Sequence, residues 1–265
     1  MKITSRDNSL LHRARNVRDG KIDNLIFVEG LRLCAEALSS GLQIEAVIYS
    51  DQIARKDRAA KLIEQLENAT ETSASVSEKL LESISFTKTP QGIVVLAHQP
   101  ARDKASFSKR QSSCPLLVIL HEINNPVNVG AIVRTAEAAG ATGVIATANT
   151  ADPFSPNALR GAMGSAFRLP IWSGAEYSDV IAWCGKREVH TIVADVSGSV
   201  AFTEADWRKP AALIMGRESA GLSAEEITAA EEVVRIPMQG ATESLNVAVA
   251  AGIILFEAAR QRARK

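Results

Sequence analysis

The segment 121–134, HEINNPVNVGAIVR, places polar side chains just ahead of a predicted helix that carries one unusual cation. Asn128 stands where the helix N-cap is expected, because asparagine side chains accept hydrogen bonds from backbone amides at that position. The helix then runs through small residues to Gly140. Arg134 is the exception among them. It could pair with Glu137 at the surface, or it could bind a nucleic-acid phosphate or a reacting hydroxyl.

The segment 216–223, GRESAGLS, is a glycine-flanked loop directly after the apolar run AALIM at 211–215. Its spacing is close to that of a phosphate-binding P-loop, but Leu222 stands where that motif requires a lysine. The segment is not a GxGxxG dinucleotide turn either. An NTP site is therefore disfavoured, and the segment is either a structural turn or a ligand-contacting loop whose one acid is Glu218.

The segment 236–246, IPMQGATESLN, leads into the strongly apolar run VAVAAGIILF. Ser244 and Asn246 are small polar residues at the start of that run. As helix caps they would need no further role. As site residues they would supply hydroxyl and amide hydrogen bonds to a ligand.

All three segments follow predicted strands of an α/β sheet. LLVIL at 116–120 is a short apolar run suited to a buried parallel strand. After it the periodicity predicts strands over 143–147, 189–194, 211–215 and 233–237, and helices over 129–139, 156–164, 176–184, 223–230 and 245–262. This alternation predicts a doubly wound parallel sheet, in which ligands bind beyond the carboxyl ends of the strands.

Residues 1–98 predict a smaller α/β domain that opens with a basic helical stretch. The pattern indicates strands over 25–28, 46–49 and 92–97, and helices over 31–38, 58–67 and 77–83. The polar stretch QPARDKASFSKRQSS at 99–113 has the composition of a linker. The second domain would then cover 114–265.

Composition sets outer limits on the function. The formal net charge of zero gives no general affinity for nucleic acid, although basic clusters at 1–21, 102–110 and 260–265 could be either solvated surface or contacts for a phosphate backbone. The sequence contains neither an apolar run long enough for a transmembrane helix nor a signal-peptide core. The three isolated cysteines predict reduced thiols in the cytoplasm. No histidine lies in metal-ligand spacing, so no metal is expected.

Taken together, the three segments resemble the SpoU (TrmH-type) branch of the SPOUT RNA methyltransferases. The motif positions are Asn128, Gly130 and Arg134; Gly216, Glu218 and Gly221; and the stretches 236–238 and 243–247. The resemblance covers 116–262 and implies an S-adenosylmethionine-dependent enzyme that methylates ribose 2′-hydroxyls in RNA. It also implies a C-terminal trefoil knot, which is a rare exception to unknotted topology, and a homodimer with its sites near the interface.

The first domain is similar to the small ribosomal-protein-like RNA-binding domain of the family's longer members. The similarity rests on FVEGLR at 27–32 and TPQGI at 89–93. It favours rRNA, and 23S rRNA in particular, over tRNA as the substrate.

The resemblance also implies how the cofactor would be held. Gly216, Ile236 and Leu245 would contact S-adenosylmethionine, largely through backbone groups. Met215 and Met238 would line its adenine pocket.

The same resemblance implies that Arg134 engages the 2′-hydroxyl. The residues that would orient it and the ribose are Asn128, Glu218, Ser244 and Asn246. A guanidinium ordinarily stays protonated, so it would act either as an unusual base or by stabilising the developing alkoxide. Arg160 is a further candidate for RNA contact, with an ordinary surface arginine as the alternative.

Two other functions are weighed against this one. A non-catalytic RNA-binding protein for ribosome assembly could use the same scaffold, but it would have no reason to keep the whole motif set. A base methyltransferase of another SPOUT branch would need different catalytic groups.

Overall fold

The computed structural model describes residues 1–218 and 221–263. Ser219 and Ala220 of the second motif segment lie outside the described residues, as do Arg264 and Lys265 of the basic tail. The elements of the first hundred residues are α1 (Ser9–Arg18), β1 (Leu25–Glu29), α2 (Leu31–Ser39), β2 (Ile44–Ser50), a 3-10 turn (Ile53–Arg55), α3 (Asp57–Asn68), β3 (Ser73–Val76), α4 (Glu78–Ile84) and β4 (Ile93–His98).

The remaining elements mostly alternate between helix and strand. They are α5 (Lys104–Lys109), β5 (Leu116–Leu120), α6 (Pro126–Ala138), β6 (Gly143–Thr147), α7 (Pro156–Ala162), α8 (Ser165–Arg168), β7 (Ile171–Ala175), α9 (Tyr177–Gly185), β8 (His190–Ala194), β9 (Val200–Ala201), β10 (Ala211–Met215), α10 (Ala224–Thr228), β11 (Glu232–Arg235) and α11 (Val247–Ala263). None of the described helices is long and apolar enough to cross a membrane.

The chain divides into two compact units. The first consists of Met1–Pro100 together with Phe154–Arg168, and the second of Ala101–Pro153 together with Leu169–Lys265. The division differs from the predicted boundaries, which assigned all of 114–265 to the second domain. The segment 154–168 belongs to the first unit because α7 packs on β1.

A four-stranded sheet in the order β1-β4-β2-β3 forms the centre of the first unit. β4 pairs antiparallel with both β1 and β2, whereas β2 and β3 are parallel. The turn between α7 and α8 lies against α2, where Arg168 Nη1 donates to Glu36 Oε2 at 2.5 Å. Gly164 in that turn has φ +94°, and an added Cβ would lie 2.7 Å from Glu36 Oε2. Only glycine fits there without strain.

A seven-stranded sheet in the order β7-β6-β5-β10-β8-β11-β9 forms the second unit, and every pairing in it is parallel. The predicted parallel α/β sheet is therefore confirmed. The central strands β5 and β10 are fully buried, as their uninterrupted apolar sequences predict. The short strands β3, β7 and β9 were not predicted.

The stretch 99–113, predicted to be a linker, contains the short helix α5. Its one large apolar side chain, Phe107, is only 1% exposed. The Phe107 ring lies 6.1 Å from that of Trp172 and 5.7 Å from that of Trp183. The sequence did not predict this burial, because a single aromatic residue in a polar segment has no local signature of burial and the residues that surround Phe107 lie further along the chain.

Candidate active site

A cavity of about 850 Å³ opens at the carboxyl edge of the second unit's sheet. Its walls come from the segments after β5, β8, β10 and β11, so the three motif segments converge there as the parallel topology requires. The predicted site residues that line it are Asn128, Met215, Gly216, Glu218, Ile236, Met238, Ser244, Leu245 and Asn246.

Asn128 is not the N-cap of α6, contrary to the prediction. Asn125 is the cap, and its Oδ1 accepts a hydrogen bond from the Val127 amide at 2.9 Å. Pro126 occupies the first helical position, where its missing N–H costs nothing and its fixed φ suits the helix. In the sequence, Pro126 indicates that the helix begins at this position and that Asn125 is its cap. Because Asn125 serves as the cap, the Asn128 side chain is available for other contacts.

Asn128 links the first motif segment to the other two. Its Nδ2 donates to Glu218 Oε1 at 3.1 Å, and its Oδ1 accepts from Asn246 Nδ2 at 3.3 Å. The Glu218 carboxylate also accepts the backbone amides of Asn124 and Asn125 at 3.2 and 3.3 Å. Burial alone would raise the pKa of Glu218, but these hydrogen bonds together lower it. Glu218 is therefore an anion at neutral pH and acts as the acceptor in this network.

Asn246 has both of the roles considered for it. Its Oδ1 accepts from the Ala248 amide at 2.9 Å and so caps the start of α11, while its Nδ2 donates to Asn128. The cap fixes the orientation of the Asn246 amide, so that its nitrogen points to Asn128. Asn128 must therefore present its oxygen to Asn246 and its nitrogen to Glu218.

An ion cluster that sequence reasoning missed supports the 216–222 loop. Arg217 donates to Glu122 Oε2 at 2.6 Å and to both Glu226 oxygens at 2.8 Å, and His121 Nε2 lies 2.9 Å from Glu226 Oε1. The Arg217 guanidinium holds the pKa of Glu226 well below its usual range. The signal in the sequence was the spacing of Ser223 and Glu226, which form a capping box at the start of α10.

Close packing explains the glycine at the start of this loop. A Cβ on Gly216 would lie 2.1 Å from Leu222 Cδ1 and 3.1 Å from the backbone carbon of Gly221. Any side chain at 216 would therefore displace the buried Leu222 side chain, which lines the cavity.

Asp195, directly after β8, is a second lining residue that sequence reasoning missed. Its Oδ1 accepts from the Ser197 amide at 2.8 Å and from the Ser197 hydroxyl at 2.6 Å. Oδ2 has no hydrogen bond within the described residues, so it can accept one from a ligand hydroxyl or a cationic group. Its position at the carboxyl end of a predicted strand could have identified it as a candidate site residue.

Arg134 does not line the cavity as the described residues form it. The side chain is exposed on α6 and has no hydrogen bond or ion pair within the described part of the chain. The alternative of a surface pair with Glu137 is therefore not observed. Arg160 lies on α7 in the first unit and is not among the residues that line this cavity.

The cavity suits a ligand with both a flat apolar part and several polar groups. Met215, Leu222 and Met238 provide apolar walls, while Asp195 and Asn246 provide hydrogen-bonding groups. This combination is typical of cofactor sites at the edge of an α/β sheet. Across residues 1–218 and 221–263, no group of three or more His, Cys, Asp or Glu side chains could hold a metal ion.

Comparison with known proteins places these features in context. The model of the SpoU rRNA Methylase family matches residues 115–256, and the model of the MRM3-like substrate binding domain matches residues 10–95. A 23S rRNA (uridine(2479)-2′-O)-methyltransferase of Streptomyces viridochromogenes is 31% identical over 98% of this chain and 92% of its own length. The 23S rRNA (guanosine(2553)-2′-O)-methyltransferase RlmP of Bacillus subtilis is 29% identical over 88% of each chain.

Among solved structures, an AdoMet-bound rRNA methyltransferase from Sinorhizobium meliloti superposes with a TM-score of 0.85. It is 32% identical in sequence, and the match covers 98% of this chain and 97% of that one. The similarity therefore extends over both units of the fold.

Proposed function

The chain belongs to the SpoU rRNA Methylase family, and from this premise we infer that it transfers a methyl group from S-adenosylmethionine to a ribose 2′-hydroxyl of rRNA. The substrate class that both named relatives share is 23S rRNA. The observation that carries the proposal is the network of Glu218, Asn128 and Asn246, which joins all three motif segments at one cavity.

The residues of the cavity fit S-adenosylmethionine. When bound, this cofactor supplies a methyl group that its sulfonium charge already activates. We propose that Gly216, Ile236 and Leu245 contact it through backbone groups and that Met215 and Met238 flank its adenine ring. These five residues lie together along the cavity wall, which supports the assignment.

The polar residues orient the reacting groups. Asn128 and Asn246 hold each other's amides in one orientation, and Glu218 anchors Asn128 to the loop after β10. Ser244 lies beside them on the cavity wall and supplies a hydroxyl. Such fixed hydrogen-bonding groups lower the barrier by holding donor and acceptor in line before the reaction.

We propose that the protein is a homodimer whose interface includes α6 and α11. These helices pack against each other, and α11 exposes an apolar stripe with Val249 51%, Ile253 37% and Phe256 55% accessible. Val127 on α6, also 53% accessible, lies two helical turns before Arg134 and therefore on the same face. A second copy that covers this face would enclose Arg134 within the assembly.

Arg134 then completes the site from the interface. Because it is unpaired and lies on the face that the second copy covers, it is available to the ribose and phosphate of an RNA bound at a nearby cavity. We propose that it stabilises the developing negative charge on the 2′-oxygen. The proton would then leave to a phosphate or to water.

A trefoil knot in the C-terminal part is also proposed. α11 follows β11 but packs against α6, the helix that follows β5. β8 and β10 lie between β11 and β5 in the sheet. The chain must therefore cross these strands to reach α6, and a threaded path would provide that crossing.

We place the protein in the cytoplasm because all three cysteines are free. Burial raises the pKa of the Cys34 and Cys184 thiols, which keeps them protonated and unreactive. Free thiols are typical of reducing compartments.

The test is methyl transfer from labelled S-adenosylmethionine to separated rRNA and tRNA. We expect label in 2′-O-methyl nucleosides of rRNA and its loss in Arg134→Ala, with Lys186→Ala, another exposed cation of the second unit, as the matched control. Label in tRNA alone would support the proposed methyl transfer but contradict rRNA as the substrate. No label in either pool, with normal cofactor binding, would favour a non-catalytic RNA-binding protein.

A further inference from the structure

A second cavity, of about 280 Å³, lies in the first unit. It is built by the two segments that resemble an RNA-binding domain, 27–32 and 89–93, together with α7. None of its lining residues belongs to the catalytic cavity. Arg160, which the catalytic cavity does not include, is one of them.

Hydrogen bonds within the chain fix the walls of this cavity. The Glu29 carboxylate accepts the Phe86 amide at 2.9 Å, the Thr87 amide at 3.2 Å and the Thr87 hydroxyl at 2.8 Å. Gln91 Oε1 accepts the Leu31 amide at 3.1 Å. Glu29, the acidic residue among those that line the cavity, thus holds the segment after α4 in place, and the wall is formed before any ligand binds.

Two arginines from different helices line this cavity, Arg32 on α2 and Arg160 on α7. Both are exposed, and neither has a hydrogen bond or ion pair within the described residues. Other arginines of the same unit do have acidic partners, such as Arg13 with Glu45. Unpaired guanidinium groups at one concave site are suited to a phosphate, which they can bind in a bidentate manner.

The rest of the cavity suits a nucleobase. Leu33, which is buried, and Met163 are the apolar side chains among its lining residues. Gln91 Nε2 and the Thr89 hydroxyl have no partner within the described residues and can bond to the edges of a base. An unpaired base in a loop or bulge can enter such a concavity, whereas a base within a duplex stays stacked.

We propose that this cavity binds one unpaired nucleotide of the RNA substrate, with Arg32 and Arg160 on its phosphate and the base against Leu33. The proposal rests on the inferred function in taking RNA as the ligand. Arg160 lies within the sequence matched by the SpoU model but folds with the first unit. The nucleotide site therefore uses residues from both halves of the sequence.

The test is the affinity of the full-length protein for a fluorescent ten-nucleotide oligouridine and for an RNA duplex of the same length. We expect the single strand to bind more tightly. The double variant Arg32→Gln, Arg160→Gln should weaken single-strand binding by at least about tenfold, since each arginine makes a charge-assisted contact. The slope of log affinity against log salt should fall by about 0.7, because the contact with one phosphate is lost.

The matched control is the double variant Arg58→Gln, Lys61→Gln, which removes the same charge from the exposed surface of α3. It should change the affinity by less than about twofold. Equal losses in both double variants would mean a diffuse charge effect and would overturn the proposal, as would no binding by the wild type or a preference for the duplex.

Cofactor binding, measured by calorimetry, separates this proposal from the function on which it rests. Both double variants should bind S-adenosylmethionine as the wild type does, because none of their residues line the catalytic cavity. A wild type that binds the single strand selectively but methylates no rRNA would contradict the proposed function and leave the nucleotide site standing.

Discussion

Replacing Asn128 by aspartate tests the hydrogen-bond network of the proposed catalytic cavity with almost no change of shape. The substitution removes the hydrogen bond from Nδ2 and puts a second carboxylate at 3.1 Å from Glu218 Oε1. Two unit charges at that distance repel by about 1 kcal/mol in bulk water and about 5 kcal/mol at an effective dielectric constant of 20. The site is partly exposed, so we expect the repulsion to raise the activation free energy by about 2 to 3 kcal/mol. This corresponds to roughly a 30- to 150-fold loss of kcat/KM at pH 8.

The same repulsion predicts the sign of the pH dependence. In the wild type the hydrogen bonds lower the pKa of Glu218, so its charge is constant across neutral pH. In Asn128→Asp one carboxyl of the pair must have a raised pKa, because like charges disfavour the second ionisation. Activity should therefore recover as the pH falls from 8 towards 5.5, measured relative to wild type at each pH.

Two further variants separate charge from the loss of the contact. Asn128→Ala should lose about tenfold at every pH, because it removes one hydrogen bond to a charged group and one to an amide without adding charge. Asn68→Asp, at the exposed end of α3, adds the same charge elsewhere and should behave as wild type. The positioning role of this residue would be refuted if the activity of Asn128→Asp relative to wild type did not change with pH. Full activity in Asn128→Ala would refute it as well.

Three other predictions follow from the packing of the second unit. Gly216→Ala should have a lower affinity for the cofactor in calorimetry, because its Cβ would lie 2.1 Å from Leu222 Cδ1. The control is Gly185→Ala, whose Cβ would have no atom within 4 Å, and it should bind the cofactor normally. Glu226→Gln should lower the free energy of unfolding by about 2 kcal/mol at pH 7. Because Arg217 lowers the pKa of Glu226, this difference from wild type should shrink in urea titrations as the pH falls below about 4, and a constant difference would contradict it. Phe256→Glu should convert a dimer to a folded monomer in sedimentation and abolish methyl transfer, whereas a persistent dimer would exclude this face as the interface.

Much of the fold could be predicted because its signals are local. β5 and β10 coincide with the apolar runs LLVIL and AALIM, since a strand buried on both faces needs no polar alternation. The parallel order of the sheet followed from the regular alternation of strands and helices. The missed strands are short or carry mixed residues, as in SASV of β3 and VA of β9, which have no distinct period.

The placement of the motif residues around one cavity was also predictable, because strands of a parallel sheet end at the same edge. Asp195 and Arg217 were not predicted. Their types are common on protein surfaces, and what distinguishes them is contact with residues far along the chain, such as Glu122 beside Arg217.

By itself, the sequence determined the three motif segments, the parallel sheet and the edge of the sheet where the segments meet, because apolar periodicity and turn residues act within a few positions of one another. Tertiary structure alone decided that Asn128 faces Glu218 and Asn246 rather than capping α6. It also decided that Arg134 lies on an exposed face outside the cavity and that 154–168 joins the first unit. The physical reason is that each of these outcomes depends on contacts between residues distant in sequence, for which the local pattern carries no information.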